Sequence, residues 1–455
     1  MQIIIVGAGK VGVALTRHLA VENRVTVIDQ NPHLVENIIN IYDVMGVCGN
    51  GASYDVQKEA DVEQADLLIA TTSSDEINIL TCLVAKKMGV QHTIARIRSP
   101  EYGRQLRFMR SELGLSMAIN PEAATAREIA RVLRFPTAMK LESFSKGRLE
   151  LVEYRVAEHT ALDGTRLSEL YRNFKVRVLI CAVARQGETI IPSGDFTLRA
   201  GDKIYLTAAP RELEKFFRLL GVFRARASSV MIVGASKMCY YLASELLEMG
   251  MSVKIIDQNE QRCVEMSEKL PRALVIVGDG TDSELLSEEG ISQTDAFVAI
   301  TGLDEANILM ALSAAKQSGD CCKVVAKINR KSLLELVSTE SLIDSVVSTG
   351  AVTTELILQY IRAMKNASAS KVKTLHRIVD EKVEALEFSV TPDISFAGVP
   401  LRDLKLKRGL LLAGIVRQNG QIVIPSGNDV LHLHDDVIVV TTDTQLEDLR
   451  DILAE

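Results

Sequence analysis

The stretch MQIIIVGAGKVGVALTRHLAVENRVTVID, residues 1–29, decides the fold of this chain. It begins with a β-branched run at residues 3–6, the pattern of a strand buried on both faces. The segment GAGKVG, residues 7–12, matches G-x-G-x-x-G and leads into a helix predicted over residues 13–20. A second strand ends at Asp29, about 20 residues after the first glycine, where a carboxylate can accept hydrogen bonds from ribose hydroxyls. This order predicts a dinucleotide or adenine-nucleotide site; the alternative is a domain that keeps the turn and binds nothing.

The three glycines of this segment have separate expected roles. Gly7 permits the tight turn, Gly9 lets a pyrophosphate approach the backbone, and Gly12 lets the following helix pack close to the strand. The amides and the dipole at the start of that helix then point at the phosphates. A glycine triplet in this strand–turn–helix context is a much stronger indication than the triplet alone.

Composition excludes several classes of function. The chain has 455 residues, a length typical of about three domains. Its net charge is −7, and it contains no Trp. These values argue against a nucleic-acid-binding surface. No apolar run approaches the roughly 18 residues of a membrane span, and the N-terminus enters a strand without a signal peptide. We therefore expect a cytoplasmic protein whose role at the membrane, where it has one, is peripheral.

The cysteines favour a reducing compartment. No C-x-x-C pair occurs, and the thiols are scattered through apolar segments, as is typical of buried, reduced cysteines. The adjacent pair Cys321-Cys322 leaves a redox site open as an alternative to an ordinary loop. The seven residues are Cys48, Cys82, Cys181, Cys239, Cys263, Cys321 and Cys322.

Strands and helices alternate through the first part of the chain, which predicts a doubly wound parallel sheet. Six short strands are predicted, the last at residues 117–119, and the helices between them include one over residues 101–110. Ser53, and either Ser74 or Asp75, are expected to cap helices. In such a sheet the ligand lies at the carboxyl ends of the strands. That edge gathers Gly7 to Gly12, Asp29, Asn50, Thr72, Ser73 and Arg98.

The chain is a tandem duplication of an α/β domain followed by a small β-rich domain. The strand and turn at residues 230–239 repeat the opening stretch, and the IPSG at residues 191–194 returns at residues 424–427. Residues 366–373, rich in Ser, Ala and Lys, form the best linker candidate of the second half. The predicted domains span residues 1–136, 140–224, 228–365 and 371–455.

The two copies of the glycine turn are not equivalent. Ser236 and Cys239 stand where the first copy has its second and third glycines, and Asn329 stands in the register of Arg98. A Cβ at the close-approach position obstructs a pyrophosphate, and the loss of the arginine removes a cation. We expect the first copy to be the better nucleotide site, and the second copy to be vestigial or to hold a nucleotide in an altered pose.

These motifs, together with the run ARIRSPEY at residues 95–102 and the tandem layout, resemble the TrkA family over essentially the whole chain. These are peripheral regulatory subunits of bacterial Trk potassium uptake systems, built from two RCK (KTN) N-domains that are each followed by an RCK C-domain. The resemblance implies Rossmann-like N-domains and small α+β C-domains. It also implies a cytosolic gating ring, a homotetramer, beneath an integral-membrane potassium translocation subunit of the TrkH/TrkG type. The implied ligand is NAD(H), with ATP or ADP in some relatives, and no nucleic acid.

The resemblance also implies roles for particular residues. Asp29 would contact the adenosine ribose, and because its carboxylate repels a 2′-phosphate, NAD(H) or ATP/ADP is favoured over NADP(H). Asn50 and Gly51 would face the adenine, and Arg98 would lie near a phosphate or ribose. The glycine turn and the second part of the ligand would be served by Gly7, Ala8, Gly9, Lys10, Val11, Gly12, Thr72 and Ser73. The weaker second set would be Gly234, Ala235, Ser236, Lys237, Met238, Asp257, Asp279, Thr301 and Gly302.

Two other classes of function stay open. An NAD-dependent oxidoreductase needs a proton donor beside the nicotinamide, and no histidine falls at a strand's carboxyl end together with an Arg or Asp. A cation sensor could use His432 and His434, which share a face in strand geometry and precede Asp435 and Asp436. A solvated turn is the favoured interpretation of that cluster, and a ligand-gated regulator without catalysis is the favoured function.

Overall fold

The structure is a computed structural model that describes the chain except for residues 100–101, 103–113, 136, 138–139, 146–147, 223–226, 320–321, 338–342, 367–371, 380–381, 444–445, 447 and 455. Cys321, the predicted helix over residues 101–110 except Tyr102, and most of the proposed linker therefore lie outside the described residues. The chain packs into two compact units, one of residues 1–130 with 228–356 and one of residues 131–227 with 357–455. Matching segments of the two repeats thus pack together, while the four domain boundaries stay a prediction.

The first repeat begins with a six-stranded sheet in which every pairing is parallel, in the order β3-β2-β1-β4-β5-β6. This confirms the doubly wound class. The central strand is apolar throughout its buried part, as its β-branched run predicts. The strands are β1 Gln2–Val6, β2 Arg24–Asp29, β3 Met45–Cys48, β4 Leu67–Ala70, β5 His92–Arg96 and β6 Met117–Ile119. The helices are α1 Lys10–Leu19, α2 Pro32–Ile41, α3 Tyr54–Glu59, α4 Asp75–Lys87 and α5 Pro121–Arg134.

A five-stranded antiparallel sheet follows, in the order β10-β9-β11-β8-β7. It confirms the predicted small β-rich domain. Its buried core includes the aromatic side chains Phe216 and Phe217. The strands are β7 Lys140–Phe144, β8 Leu149–Arg155, β9 Leu179–Arg185, β10 Glu188–Ile190 and β11 Lys203–Ala208. The helices are α6 Leu170–Phe174 and α7 Pro210–Leu219.

The second repeat returns to the same two architectures. Its parallel sheet has the order β14-β13-β12-β15-β16-β17, and its antiparallel sheet has the order β18-β19-β22-β20-β21. The strands of the parallel sheet are β12 Ser229–Val233, β13 Ser252–Asp257, β14 Leu274–Val277, β15 Ala296–Ala299, β16 Lys323–Lys327 and β17 Ser345–Val347. Its helices are α8 Lys237–Glu248, α9 Glu260–Lys269, α10 Ser283–Glu288, α11 Asp304–Ser318, α12 Lys331–Val337 and α13 Thr349–Asn366. The final strands are β18 Val372–Ile378, β19 Val383–Ser389, β20 Leu410–Val416, β21 Ile422–Val423 and β22 Asp436–Thr441.

The two antiparallel sheets share one buried core. That cluster combines Phe144 and Leu149 of the first repeat with Val383 and Ile438 of the second. The repeats are also joined by polar contacts, since the Ser145 hydroxyl donates to a carboxylate oxygen of Glu387 at 2.7 Å. An apolar core common to both copies means that neither copy buries its sheet face alone.

Of the two predicted helix caps, one is confirmed and the other is wrong. The Ser74 hydroxyl accepts a hydrogen bond from the Ile77 amide at 3.2 Å and so caps α4, as predicted. The predicted cap at Ser53 is wrong, because its side chain makes no capping hydrogen bond. Instead, Asn50 organises that loop: its side-chain oxygen accepts from the Ala52 amide at 3.1 Å, and its carbonyl accepts from the Ser53 amide at 2.9 Å.

The described cysteines are free thiols, of which Cys48 is exposed and five are buried. Burial raises the pKa of the thiols of Cys82, Cys181 and Cys239. Among the helices that the structure describes, none combines the length and the apolar character that crossing a bilayer requires.

Arg185→Met is expected to destabilise the β-rich unit by about 3 kcal/mol. The Arg185 guanidinium binds both carboxylate oxygens of Asp202 at 2.7 Å, and the Asp202 side chain is only 2% exposed. Removing the cation leaves a buried charge without its partner. Urea unfolding of the full chain, with hydrogen exchange over β11 to localise the loss, measures the effect.

Arg218→Met is the matched control. That arginine also binds a carboxylate, Glu214 one helical turn away, but both side chains are about half exposed. We expect a change within about 0.5 kcal/mol. Equal effects of the two substitutions would contradict the burial of the Arg185–Asp202 pair.

Candidate functional site

The first glycine turn lies at the carboxyl end of β1 and can accept a phosphate. Gly7 has a φ of +105°, and a Cβ on Gly12 would lie 1.8 Å from the Gly7 carbonyl oxygen, so both positions require glycine. Gly9 is exposed, and a Cβ there would meet nothing within 4 Å, so the space in front of it is open. It is also the N-cap residue of α1, which therefore has no side-chain cap, and the first turn of α1 contains no acid. The first amides of α1 are available to an anion.

Asp29 holds this turn in place. One carboxylate oxygen accepts from the Ala8 amide at 2.6 Å, and the other accepts from the Asn31 amide at 2.8 Å. Each oxygen has a further lone pair, so the carboxylate can accept from a ribose hydroxyl while it keeps the turn closed. Asp29 is thus a structural residue of the turn as well as a candidate ligand contact, which its position in the motif did not reveal.

The loop after β3 contains Asn50, which is exposed, and Gly51, which is buried. A Cβ on Gly51 would lie 2.1 Å from a methyl carbon of Val6, so the loop packs directly on the end of β1. The two residues predicted to face an adenine therefore lie next to the glycine turn, at the same edge of the sheet.

Thr72 follows β4 and is held by Asn78, which was not among the predicted site residues. The side-chain oxygen of Asn78 accepts from the Thr72 amide at 2.8 Å and from its hydroxyl at 2.7 Å, while the Asn78 amide donates to the carbonyl oxygen of Arg96 at 2.8 Å. Asn78 is completely buried and connects the ends of β4 and β5, and Ser73 is left exposed beside it. The sequence does carry a signal for this role, because a threonine and an asparagine return at the matching positions Thr301 and Asn307, where they make the same contacts.

Arg98 is bound on its side chain and on its backbone. Its guanidinium donates to a carboxylate oxygen of Glu122 at 2.5 Å, and its amide donates to Asp75 at 2.9 Å. Arg96 lies 3.7 Å from the same Glu122 oxygen, and burial is the main cause that lowers its pKa. Glu122, which lies in the first turn of α5, was not among the predicted site residues. Glu122 is thus hydrogen-bonded to the Arg98 guanidinium, which the sequence analysis assigned to a ligand.

The second glycine turn has the same backbone but a different surface. Gly234 has a φ of +110°, and Asp257 accepts from the Ala235 amide at 2.7 Å, as in the first copy. Ser236, however, caps α8, because its hydroxyl accepts from the amide of the buried Cys239 at 3.3 Å. One of the amides that a phosphate would need is therefore already bonded.

The remaining residues of the second set also differ in their surroundings. Hydrogen bonds from Thr281, foremost the one from its amide, lower the pKa of Asp279, so a charged carboxylate replaces the neutral Asn50. Met238 is buried and Lys237 is exposed. Asn329 accepts from the Thr349 amide at 3.1 Å, so it closes its own loop. The guanidinium of this loop belongs to the next residue, Arg330, and is ion-paired with Asp304 and Glu305.

Charged groups of the two repeats influence each other within this unit. Burial is the main cause that lowers the pKa of Lys327, the counterpart of Arg96; the ammonium of Lys10 lowers it further, and Asp304 and Glu122 oppose the shift. Hydrogen bonding from Ser74 is the main cause that lowers the pKa of Glu76, and Lys237 contributes in the same direction. Lys10 and Lys237, the first residues of α1 and α8, are thus each within electrostatic range of a charged group of the other repeat, a relation that the sequence did not reveal.

The histidine cluster near the C-terminus does not have the geometry of a cation site. His432 and His434 lie in a turn before β22, so the strand geometry in which they would share a face is wrong. Asp435 is buried, ion-paired with Arg417, and accepts from the His432 amide at 2.8 Å. The turn closes around this carboxylate, which is the counterpart of Asp202 in the first repeat.

Comparison with known proteins gives consistent matches along the chain. The TrkA-N domain model matches residues 3–121 and again residues 230–349, and the TrkA-C domain model matches residues 151–221 and 385–454. The Trk system potassium uptake protein TrkA homolog of Archaeoglobus fulgidus is 31% identical over 99% of this chain and 100% of its own length. The protein TrkA of Vibrio alginolyticus is 32% identical over 97% of this chain and 94% of its own. These names describe potassium uptake proteins rather than oxidoreductases.

Solved structures share the fold. The structure described as the GsuK channel bound to NAD has a TM-score of 0.63 and 20% identity, and the alignment covers 98% of this chain and 77% of that chain. The structure of GsuK bound to ADP has a TM-score of 0.51 and 16% identity, over 80% of this chain and 69% of that chain. At this level of identity the likeness shows the architecture alone.

Gly9→Ser is expected to weaken binding of NADH to the first glycine turn at least tenfold while leaving stability unchanged. A Cβ at this position meets nothing within 4 Å, and the serine hydroxyl can accept from an amide of α1 as Ser236 does in α8, so that amide is no longer free to bind the phosphate. Isothermal titration calorimetry gives the affinity, and thermal unfolding gives the stability.

Ser53→Ala is the control in the same repeat, because it removes a hydroxyl that caps no helix. The affinity of this variant for NADH should match that of the unmodified protein. An unchanged affinity of Gly9→Ser would contradict the assignment of the phosphate to the first amides of α1.

Proposed function

Because the chain belongs to the TrkA family of Trk-system potassium uptake proteins, we propose that it is a cytosolic regulatory subunit that binds NAD(H), or ATP or ADP, and controls potassium flux through an integral-membrane partner. The partner is a translocation subunit of the TrkH/TrkG type, which holds this chain at the inner face of the cell membrane. The working form is a homotetramer. The identity of the partner and the tetrameric state both go beyond family membership. Copurification tests the partner, and mass measurement in solution tests the tetramer.

The single observation that carries the proposal is the uncapped N-terminus of α1 beside an open glycine turn. Backbone amides that no side chain caps, together with the helix dipole, form a site for a pyrophosphate. The carboxylate of Asp29 lies at the same edge and suits a ribose. The descriptions of GsuK as bound to NAD and as bound to ADP support this class of ligand.

Each residue of the site has a proposed role. Residues 7–12 surround the pyrophosphate, with the first amides of α1 as donors; Asn50 and Gly51 face the adenine, and Thr72 and Ser73 lie along the second part of the ligand. Arg98 changes its partner from Glu122 to a phosphate or ribose oxygen, since a phosphate competes with a single carboxylate for the guanidinium. In the second repeat the capped turn leaves a site that is weaker or empty.

Regulation requires only binding. A nucleotide shifts the balance between two arrangements of the protein to the extent that it binds one of them more tightly, and the membrane subunit responds to the favoured arrangement. No bond of the nucleotide is broken in this mechanism, and the side chains of the site bind and orient the ligand rather than exchange protons with it.

Titration of the purified chain with NADH, NAD+, ATP and ADP should give about one nucleotide per chain, with Gly9→Asp abolishing the heat of binding. The introduced carboxylate lies where a phosphate would bind and repels it. Ser236→Asp, at the matching position of the second repeat, should leave the stoichiometry unchanged. Two nucleotides per chain, one of them lost in each variant, would refute the inequality of the two turns, and the absence of binding to any nucleotide would refute the proposed function.

Asp29→Asn should shift preference toward the phosphorylated cofactor. The amide removes the negative charge that repels a 2′-phosphate, so the ratio of the Kd for NADPH to the Kd for NADH should fall at least tenfold. If the substitution also loosens the turn, the affinities for both ligands fall by the same factor, because both bind the same turn, and the ratio of the two Kd values is unaffected. Asp257→Asn in the second repeat is the control, and an unchanged ratio in Asp29→Asn would show that this carboxylate does not contact the ribose.

A further inference from the structure

The phenol of Tyr241 joins the two repeats at the candidate site. Tyr241 lies in α8, one turn after the second glycine loop, and its hydroxyl donates to the carbonyl oxygen of Arg98 at 3.2 Å. The same hydroxyl accepts from the side-chain amide of Asn120 at 2.8 Å, and that amide also lies 3.3 Å from the Arg98 carbonyl. A helix of the second repeat thus contacts the backbone of the residue assigned to the ligand in the first.

We propose that Tyr241 is a positioning residue for the nucleotide site of the first repeat, acting through Arg98. The inference rests on the proposed function, in which Arg98 contacts the nucleotide. It assigns to the second repeat the role of supporting the site of the first.

The contacts hold the Arg98 backbone from both sides. On one side the amides of Arg98 and Ser99 donate to a single carboxylate oxygen of Asp75 at 2.9 Å and 2.8 Å. On the other side the carbonyl of Arg98 accepts from Tyr241 and Asn120. Only the side chain, which is 34% exposed, can exchange its partner Glu122 for a ligand oxygen. The orientation of that side chain therefore depends on contacts with both repeats.

At the matching positions, which the structure describes, the contact has no equivalent in the opposite direction. Ala14 of α1 stands in the register of Tyr241 and has no hydroxyl, and Asn329 stands in the register of Arg98. The second glycine turn therefore differs from the first in two respects. Ser236 caps its own helix, so fewer amides are free for a phosphate, and Tyr241 of that helix bonds the neighbouring repeat. A structural support that replaces a ligand site accounts for both changes.

The phenol is in the form that this role requires. Burial is the main cause that raises the pKa of Tyr241, and the neighbouring acids Glu122 and Asp75 raise it further, while the hydrogen bond from Asn120 opposes the shift. The hydroxyl consequently keeps its proton at neutral pH and donates it to the Arg98 carbonyl. The ring packs edge-on against Tyr240 at 5.6 Å, so removal of the hydroxyl alone leaves the packing intact.

Tyr241→Phe tests the proposal, with Tyr240→Phe on the same helix as the matched control. NADH and ADP are titrated into four proteins: the unmodified chain, Tyr241→Phe, Arg98→Gln and the double variant. Tyr241→Phe should weaken binding about three- to tenfold, the effect of one lost hydrogen bond. In the Arg98→Gln background the same substitution should have no further effect, because the residue through which it acts is already absent. Tyr240→Phe should bind as the unmodified chain does.

Each other outcome is decisive. Unchanged binding by Tyr241→Phe, while the unmodified chain binds, overturns the inference and leaves the proposed function standing. Equal losses in the two backgrounds also overturn it, because a general loosening of the fold does not depend on Arg98. Binding of neither nucleotide to the unmodified chain overturns the proposed function and this inference with it.

Discussion

The hydrogen bond from the amide of Ala8 to the carboxylate of Asp29 is the contact on which the rest of the site depends. It connects the turn after β1 to the end of β2, and with a φ of +105° at Gly7 it keeps the chain close to the sheet edge. The same bond recurs between Ala235 and Asp257, at 2.7 Å against 2.6 Å in the first repeat. An acid at this position therefore stabilises the turn whether or not a ligand is bound, and a ribose can use a carboxylate that the fold already requires.

Duplication separated the contacts that maintain the fold from those that would bind a ligand. Buried networks at the strand ends are kept in both copies, as Asn78 and Asn307 show, since losing either would leave backbone amides and carbonyls unsatisfied in the interior. Exposed positions were free to change. Gly9 lies at an open position where an added Cβ would meet nothing within 4 Å, and its match Ser236 bonds an amide of its own helix, so the fold tolerates a difference at this position.

Because matching segments of the two repeats pack together, a residue of one repeat can contact the candidate site of the other. Helix α8 of the second repeat contacts the first repeat through the hydrogen bond from the Tyr241 hydroxyl to the Arg98 carbonyl. On the proposal that a nucleotide engages Arg98, its binding shifts the packing of the two repeats to the extent that the nucleotide binds one arrangement more tightly than the other. In the proposed function, this contact is the link between nucleotide binding and the packing of the two parallel-sheet domains.

The sequence by itself determined the parallel sheets, the duplication and the unequal glycine turns, because each depends on local spacing: apolar strands, glycines that alone fit a turn, and substitutions at matching register. It did not determine which residues meet across the chain. Glu122 as the partner of Arg98, Asn78 as the link between strand ends and Tyr241 as the link between repeats were decided by the tertiary structure. Tyr241 and Arg98 are separated by 143 positions, and no periodicity relates them. A hydrogen bond between such residues forms only when two separately folded sheets pack in one orientation, and the order of residues along a strand or helix does not specify that orientation.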